Sequence, residues 1–325
     1  MRCYDPFTMA RYIEKRKTGV WARFARQYQI HLFVWMGLAF LFVFSYAPMF
    51  GILMAFQNYD ISTGFKGIFS GPWVGFKYFI EFFTDPMFEA ILVNTLSLSL
   101  LKLLFSFPFP IIFAIMITET RNMAVRRCVQ TVSYLPHFIS WVIVSGLVFT
   151  FFSVDYGVIN KIFVFFGKDP LPFITSPAYY WFLAVFTDIW KDMGWWAIIF
   201  IAAITTIDPA LFEAAIIDGA GRIARIRYII LPGLGGAVTV TLILSMGSLL
   251  GGGLSGSNFE QSMLIGNKLN AVRSEIIQSY SLRMGLGMGR FSFGTAVGLL
   301  QSITSVILVF GSNAFFKKIR GFGLF

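Results

Sequence analysis

Six predominantly apolar runs, at about 30–56, 89–117, 129–152, 178–207, 233–254 and 293–316, dominate this sequence. A helix of about 20 residues is enough to cross a hydrocarbon core about 30 Å thick. The expectation is therefore an all-α, polytopic membrane protein with six transmembrane helices. Composition agrees: 57% of the 325 residues are hydrophobic and 13% are charged, where soluble domains carry about a quarter charged residues. The chain divides into a basic N-terminal segment, 1–28, and a membrane domain, 29–325. The first apolar run is too long for a signal-peptide core and no small-residue cleavage site follows it, so it is expected to remain as the first span. Pro48 lies inside that run and is expected to kink it.

The polar segments set an orientation. With the N-terminus in the cytoplasm, segments 1–28, 118–128, 208–232 and 317–325 carry sixteen Lys and Arg, while 57–88, 153–177 and 257–292 carry eight. The positive-inside rule then puts both termini in the cytoplasm. Segments 57–88, 153–177 and 257–292 read as external loops, the first with a short interfacial helix near 75–84. The formal net charge of +10 belongs to these flanks, and no nucleic-acid partner is indicated. Two isolated cysteines and two distant histidines hold no metal-ligand spacing. No G-x-x-x-x-G-K-[ST] loop occurs, so the chain carries no nucleotide site of that kind.

One polar island departs from a simple turn. Glu213 to Pro232 reads EAAIIDGAGRIARIRYIILP. Asp208 and Pro209 are suited to start a helix there. Gly219 allows it to end, and Leu231-Pro232 stops a second amphipathic piece. A basic connecting loop and a rigid docking helix both fit these residues. The pattern Glu213-Ala214-Ala215, three residues, Gly219, nine residues, Ile229, one residue, Leu231-Pro232 resembles, without a gap, the EAA motif of bacterial ABC importer permeases. Tyr46 to Gly51, Gly71 to Gly75, Tyr134 to His137, Asp188 to Lys191 and Asn258 to Gln261 are similar to the maltose-permease-like, polysaccharide-type sugar permeases, the alginate-type importers among them.

That resemblance implies a type I ABC importer permease fold with a cytoplasmic coupling helix. It implies coupling residues Glu213, Ala214, Ala215, Asp218, Gly219, Leu231 and Pro232, with Glu213 touching a basic residue of an ATPase subunit. It implies no cofactor in this chain and no enzymatic activity of its own, with ATP and Mg bound by two partner ATPase subunits. A second permease, expected to be a different chain so that the two form a heterodimer, an external solute-binding protein and an oligosaccharide substrate complete the set, in a bacterial inner membrane.

Four charges lie within the apolar runs: Lys102, Asp188, Lys191 and Asp192. Each costs at least about 2.5 kcal/mol in lipid and is expected to face a cavity or a partner. Asp188 and Asp192 share a helix face one turn apart. One reading is a neutral cluster tying the second span to the fourth; the other is a lining of the translocation path. The family comparison places substrate contacts at Asp188, Lys191, Asp192 and Trp195, at His137 and Trp141, and at Ser248, Leu249 and Gly252. These identities differ from the neutral site of the family. Lys191 suits a uronate carboxylate, and it equally suits Asp188 or Asp192. The glycines at 247, 251, 252, 253 and 256 read either as a helix end or as an unwound segment lining a cavity. An ion-coupled secondary transporter using Asp188 and Asp192 is the alternative class, as is the same importer carrying a neutral oligosaccharide.

Overall fold

A computed structural model describes residues 27–321, 323 and 324. All regular elements among them are helices, and an isolated bridge between Gln57 and Trp73 is their β feature. The chain divides after Leu53 into two units, Met1–Leu53 and Met54–Phe325. The basic segment expected at 1–28 lies outside the described residues apart from its last two.

Helices α1 (Tyr28–Phe56), α2 (Phe88–Thr118) and α9 (Phe291–Arg320) are long and apolar enough to cross a membrane. Three bent pairs bring the number to six if each pair is one span. They are α3 (Met123–Tyr134, continued by a tight turn to Phe138) with α4 (Trp141–Phe152), bent by 102°; α5 (Pro177–Thr205) with α6 (Pro209–Ile217), bent by 71°; and α7 (Arg222–Gly233) with α8 (Gly235–Gly247), bent by 57°. The continuous helix expected over 129–152 is therefore broken. Pro136 has no N–H to continue it, and Ser140, in an extended conformation, starts α4 by accepting a hydrogen bond from the Ile143 N–H.

Three of the prolines inside the helices are accommodated in the same way. The residue before Pro48, Pro108 or Pro232 donates its N–H five residues back: Ala47 to Phe42, Phe107 to Lys102, Leu231 to Ile226. A proline ring would press on the carbonyl four residues before it and leave it without a donor. One widened turn relieves both and lets the helix continue.

In the first unit, no residue from Tyr28 to Met49 is buried, and most of these apolar side chains are exposed, as a lipid-facing helix requires. The second unit is built on α5. Its buried positions, among them Tyr180, Leu183, Ala184, Thr187, Asp188, Lys191, Asp192, Ala197, Phe200 and Ile204, recur every three or four residues and form one face. Phe182, Phe186 and Trp190 are exposed on the other. Gly194 lies where α5 meets α3; a Cβ there would sit 2.2 Å from the Ser133 carbonyl oxygen.

Two segments expected as loops are packed into this unit. Lys77–Phe83 is a helix close to the expected range, but Tyr78, Phe79 and Phe82 are buried against Tyr280, Phe293 and Val297 rather than lying at an interface. Segment 257–292 folds into short helices, and several of its uncharged polar side chains point inward. Gln261 Nε2 donates to the Ala184 carbonyl at 2.8 Å, Ser262 Oγ to the Ser274 carbonyl at 2.6 Å, and Asn270 Nδ2 to the Ile174 carbonyl at 2.9 Å. Polarity there reflects buried hydrogen bonding, not solvent.

Candidate functional site

The four intramembrane charges come together along the buried face of α5. Lys102 Nζ lies 3.3 Å from Asp188 Oδ1, with both side chains almost fully buried. Lys102 also donates to Ser257 Oγ at 2.5 Å. Ser255 and Ser257 each donate to Asp188 Oδ1 at 2.5 Å. The two serines arrive by the unwound segment after α8. Gly252 and Gly253 turn it back with φ of 110° and 69°, which residues with side chains rarely adopt. Gly252 also packs closely: a Cβ there would lie 2.8 Å from Asn258 Oδ1.

One turn along α5, Asp192 Oδ1 meets His137 Nδ1 at 2.7 Å and lies 4.0 Å from Lys191 Nζ. With Asp192 ionised, His137 Nδ1–H is the donor and Nε2 faces elsewhere. Lys191 donates to the His137 carbonyl at 2.5 Å and lies 5.7 Å from the Trp141 ring centroid. The His137 ring stacks on Trp195, centroids 4.3 Å apart and planes 2° from parallel. Trp195 is 37% exposed and the His137 side chain 30%. The cluster thus grades from a closed ion pair at Lys102–Asp188 to an exposed aromatic edge at His137–Trp195. The free space among Lys102, Ser106, Asp188, Asp192, Ser245 and Gly252, 20 Å³, has room for about one water molecule.

Of the residues expected on a path, His137, Trp141, Asp188, Lys191, Asp192, Trp195 and Gly252 join this cluster. Ser248 and Leu249 do not reach its charges. Ser248 Oγ donates to the Gly253 carbonyl at 2.5 Å, holding the helix end, and Leu249 is buried beside it. Sequence reasoning missed Ser255 and Ser257. Their signal is faint: small polar residues directly after a glycine run.

The second feature is α6. Asp208 Oδ1 accepts from the Ala210 N–H at 2.9 Å and Pro209 takes the first helical position. At the other end the Ala220 N–H bonds the Ala215 carbonyl and the Gly219 N–H the Ile216 carbonyl, with Gly219 at φ 74°. That is a Schellman motif, which glycine completes without strain. No residue of α6 is buried, and Glu213, Ala214, Asp218 and Gly219 are exposed while Ala215 is half-buried. Ile216 and Ile217 also face outward, at 59% and 86% exposure. Phe212 anchors the helix, packing on a core that includes Ala114, Ile117, Phe200 and Ile204. Leu231 and Pro232 follow the widened turn of α7 and are exposed.

This chain resembles known proteins along nearly its whole length. It is 42% identical over 304 residues to Protein LplB of Bacillus subtilis, covering 94% of this chain and 93% of that one. It is 40% identical over 312 residues to the polygalacturonan/rhamnogalacturonan transport system permease protein YteP of Bacillus subtilis, covering 96% and 94%. Its structure superposes with a TM-score of 0.83 and 33% identity on a chain from a bacterial alginate ABC transporter crystallised with an alginate pentasaccharide-bound periplasmic protein, covering 94% and 99%. The polytopic helical fold is that of a type I ABC importer permease. Residues 106–320 match the binding-protein-dependent transport system inner membrane components, and the chain belongs to that family.

Proposed function

We propose that this chain is one membrane subunit of an ATP-driven importer that moves an acidic oligo- or polysaccharide into the cytoplasm by alternating access. The observation that carries the reading is α6: an exposed helix, closed at Gly219, whose outward residues include Glu213, Ala214 and Gly219 of the EAA pattern. Two ATPase subunits, a second permease and a solute-binding protein complete the assembly. ATP and Mg belong to the ATPase subunits, and both termini lie on their side of the membrane. Two kinds of support bear on the substrate. Polygalacturonan and alginate, carried by the relatives named above, are polymers of uronic acids. The exposed edge of the cluster pairs an aromatic ring with a histidine, which suits a sugar ring and a carboxylate.

A neutral oligosaccharide is the second reading, and Lys191 favours it. Its ammonium is buried and already donates to the His137 carbonyl beside Asp192, so it is not presented to a uronate. The single chain encloses little space at the cluster, which agrees with a path completed by the second permease. The test is accumulation of a labelled uronic-acid oligosaccharide in vesicles carrying the whole importer and its binding protein. Accumulation is expected to need ATP on the α6 side and to survive an uncoupler. Accumulation that collapses with the uncoupler while ATP is present would assign the chain to ion-coupled transport.

A further inference from the structure

Glu119 has no place in the EAA pattern, and its position is electrostatically awkward. It follows the last residue of α2, where a carboxylate meets the negative end of the helix dipole. Its neighbours explain it. Glu119 Oε2 lies 3.3 Å from Arg225 Nη2 and 3.4 Å from Arg222 Nε, both in the segment that leads from α6 back toward the membrane. The Glu119 side chain is 16% exposed and that of Arg225 23%, so this pair is partly shielded from solvent. Alongside it, Ile226 and Ile230 of α7 pack against the core that holds Ala114 and Ile117 of α2. The segment after the docking helix is therefore joined to α2 by an ionic clasp beside an apolar seam. Further along α2, seventeen residues or about 25 Å away, Lys102 makes the buried contact with Asp188.

Resting on the importer reading, we infer that Glu119 is a positioning residue for energy coupling: its clasp on Arg222 and Arg225 ties movement of the α6–α7 segment to α2, and through α2 to the buried charge cluster. The clasp is needed because α6 buries no residue of its own and is held mainly through Phe212. A contact made by one ring leaves a short helix free to rock. A second contact, one turn or more beyond Gly219, makes the segment move as a lever.

The experiment compares Glu119→Gln, Glu119→Arg, the charge swap Glu119→Arg/Arg225→Glu, and Glu213→Ala in vesicles carrying the whole importer. It reads saccharide accumulated per ATP hydrolysed. The Glu119→Gln importer is expected to assemble and to lose about tenfold in this ratio, the size of an ordinary coupling free energy. Glu119→Arg is expected to lose more, and the charge swap to recover most of the loss. If Glu119→Gln keeps the wild-type ratio while Glu213→Ala lowers it, the inference is overturned and the importer reading stands. If neither variant changes the ratio, the docking role of α6 itself fails. A Glu119→Gln importer that assembles poorly but transports normally once assembled would make the clasp merely structural and also overturn the inference.

Discussion

At the scale of single residues, Lys102 and Asp188 answer one of the two readings open at the outset. They are buried against each other, and each is further satisfied by serines from the unwound segment. A buried ion pair adds little net stability, but removing one member leaves the other uncompensated at about 3–5 kcal/mol. Lys102→Met is therefore expected to lower the thermal stability of the purified chain strongly, and Lys102→Met/Asp188→Leu to recover much of it. A Lys102→Met chain as stable as wild type would show that Asp188 takes up a proton or another partner at little cost. The sequence offered the four charges and their zero sum. It did not offer the pairing, because Asp188, Lys191 and Asp192 sit within five residues on one helix and only tertiary packing decides which of them Lys102 meets. His137 and Trp195 were legible as separate candidates, but their stacking needs the break at Pro136, which swings the histidine onto α5.

At the scale of elements, α6 was the most legible part of the chain. Asp208, Pro209 and Gly219 are local signals, and local chemistry settles a nine-residue helix with few tertiary contacts. Segment 257–292 was the least legible, because asparagine, glutamine and serine look alike whether they face water or buried carbonyls. Gly219 yields a sharp expectation. A Cβ there meets nothing within 4 Å, so any penalty comes from the backbone at φ 74°. Gly219→Ala is expected to cost about 1 kcal/mol and to loosen the helix end, while Gly219→Asn, which tolerates this conformation better, costs less. Transport per ATP should fall in the order glycine, asparagine, alanine. Equal transport by the wild type and both variants would mean that the left-handed turn does not position α6.

At the scale of the whole molecule, the second unit, Met54–Phe325, is organised as a lever with two working ends. One end is α6 with its glycine turn and the Glu119 clasp. The other is the graded cluster on α5, closed at Asp188 and open at Trp195. Helices α2 and α5 run between them, and both contribute to the core under Phe212. On the proposed orientation, α6 faces the cytoplasm and the proposed ATPase subunits, and recognition is left to the opposite side. The space within this chain at the cluster, 20 Å³, is about that of one water molecule.

In the proposed importer, ATP hydrolysed by the subunits docked at α6 drives uptake of a saccharide delivered from the other side. The direct measurement is ATP hydrolysis by the vesicle-reconstituted importer, with ATP on the α6 side and the binding protein opposite, across uronic-acid and neutral oligosaccharides of equal length. Hydrolysis is expected to rise when the binding protein carries a uronic-acid oligosaccharide, to rise less with the neutral one, and to lose this response in Glu213→Ala. Hydrolysis indifferent to the loaded binding protein, or an unaltered response in Glu213→Ala, would contradict the proposed coupling.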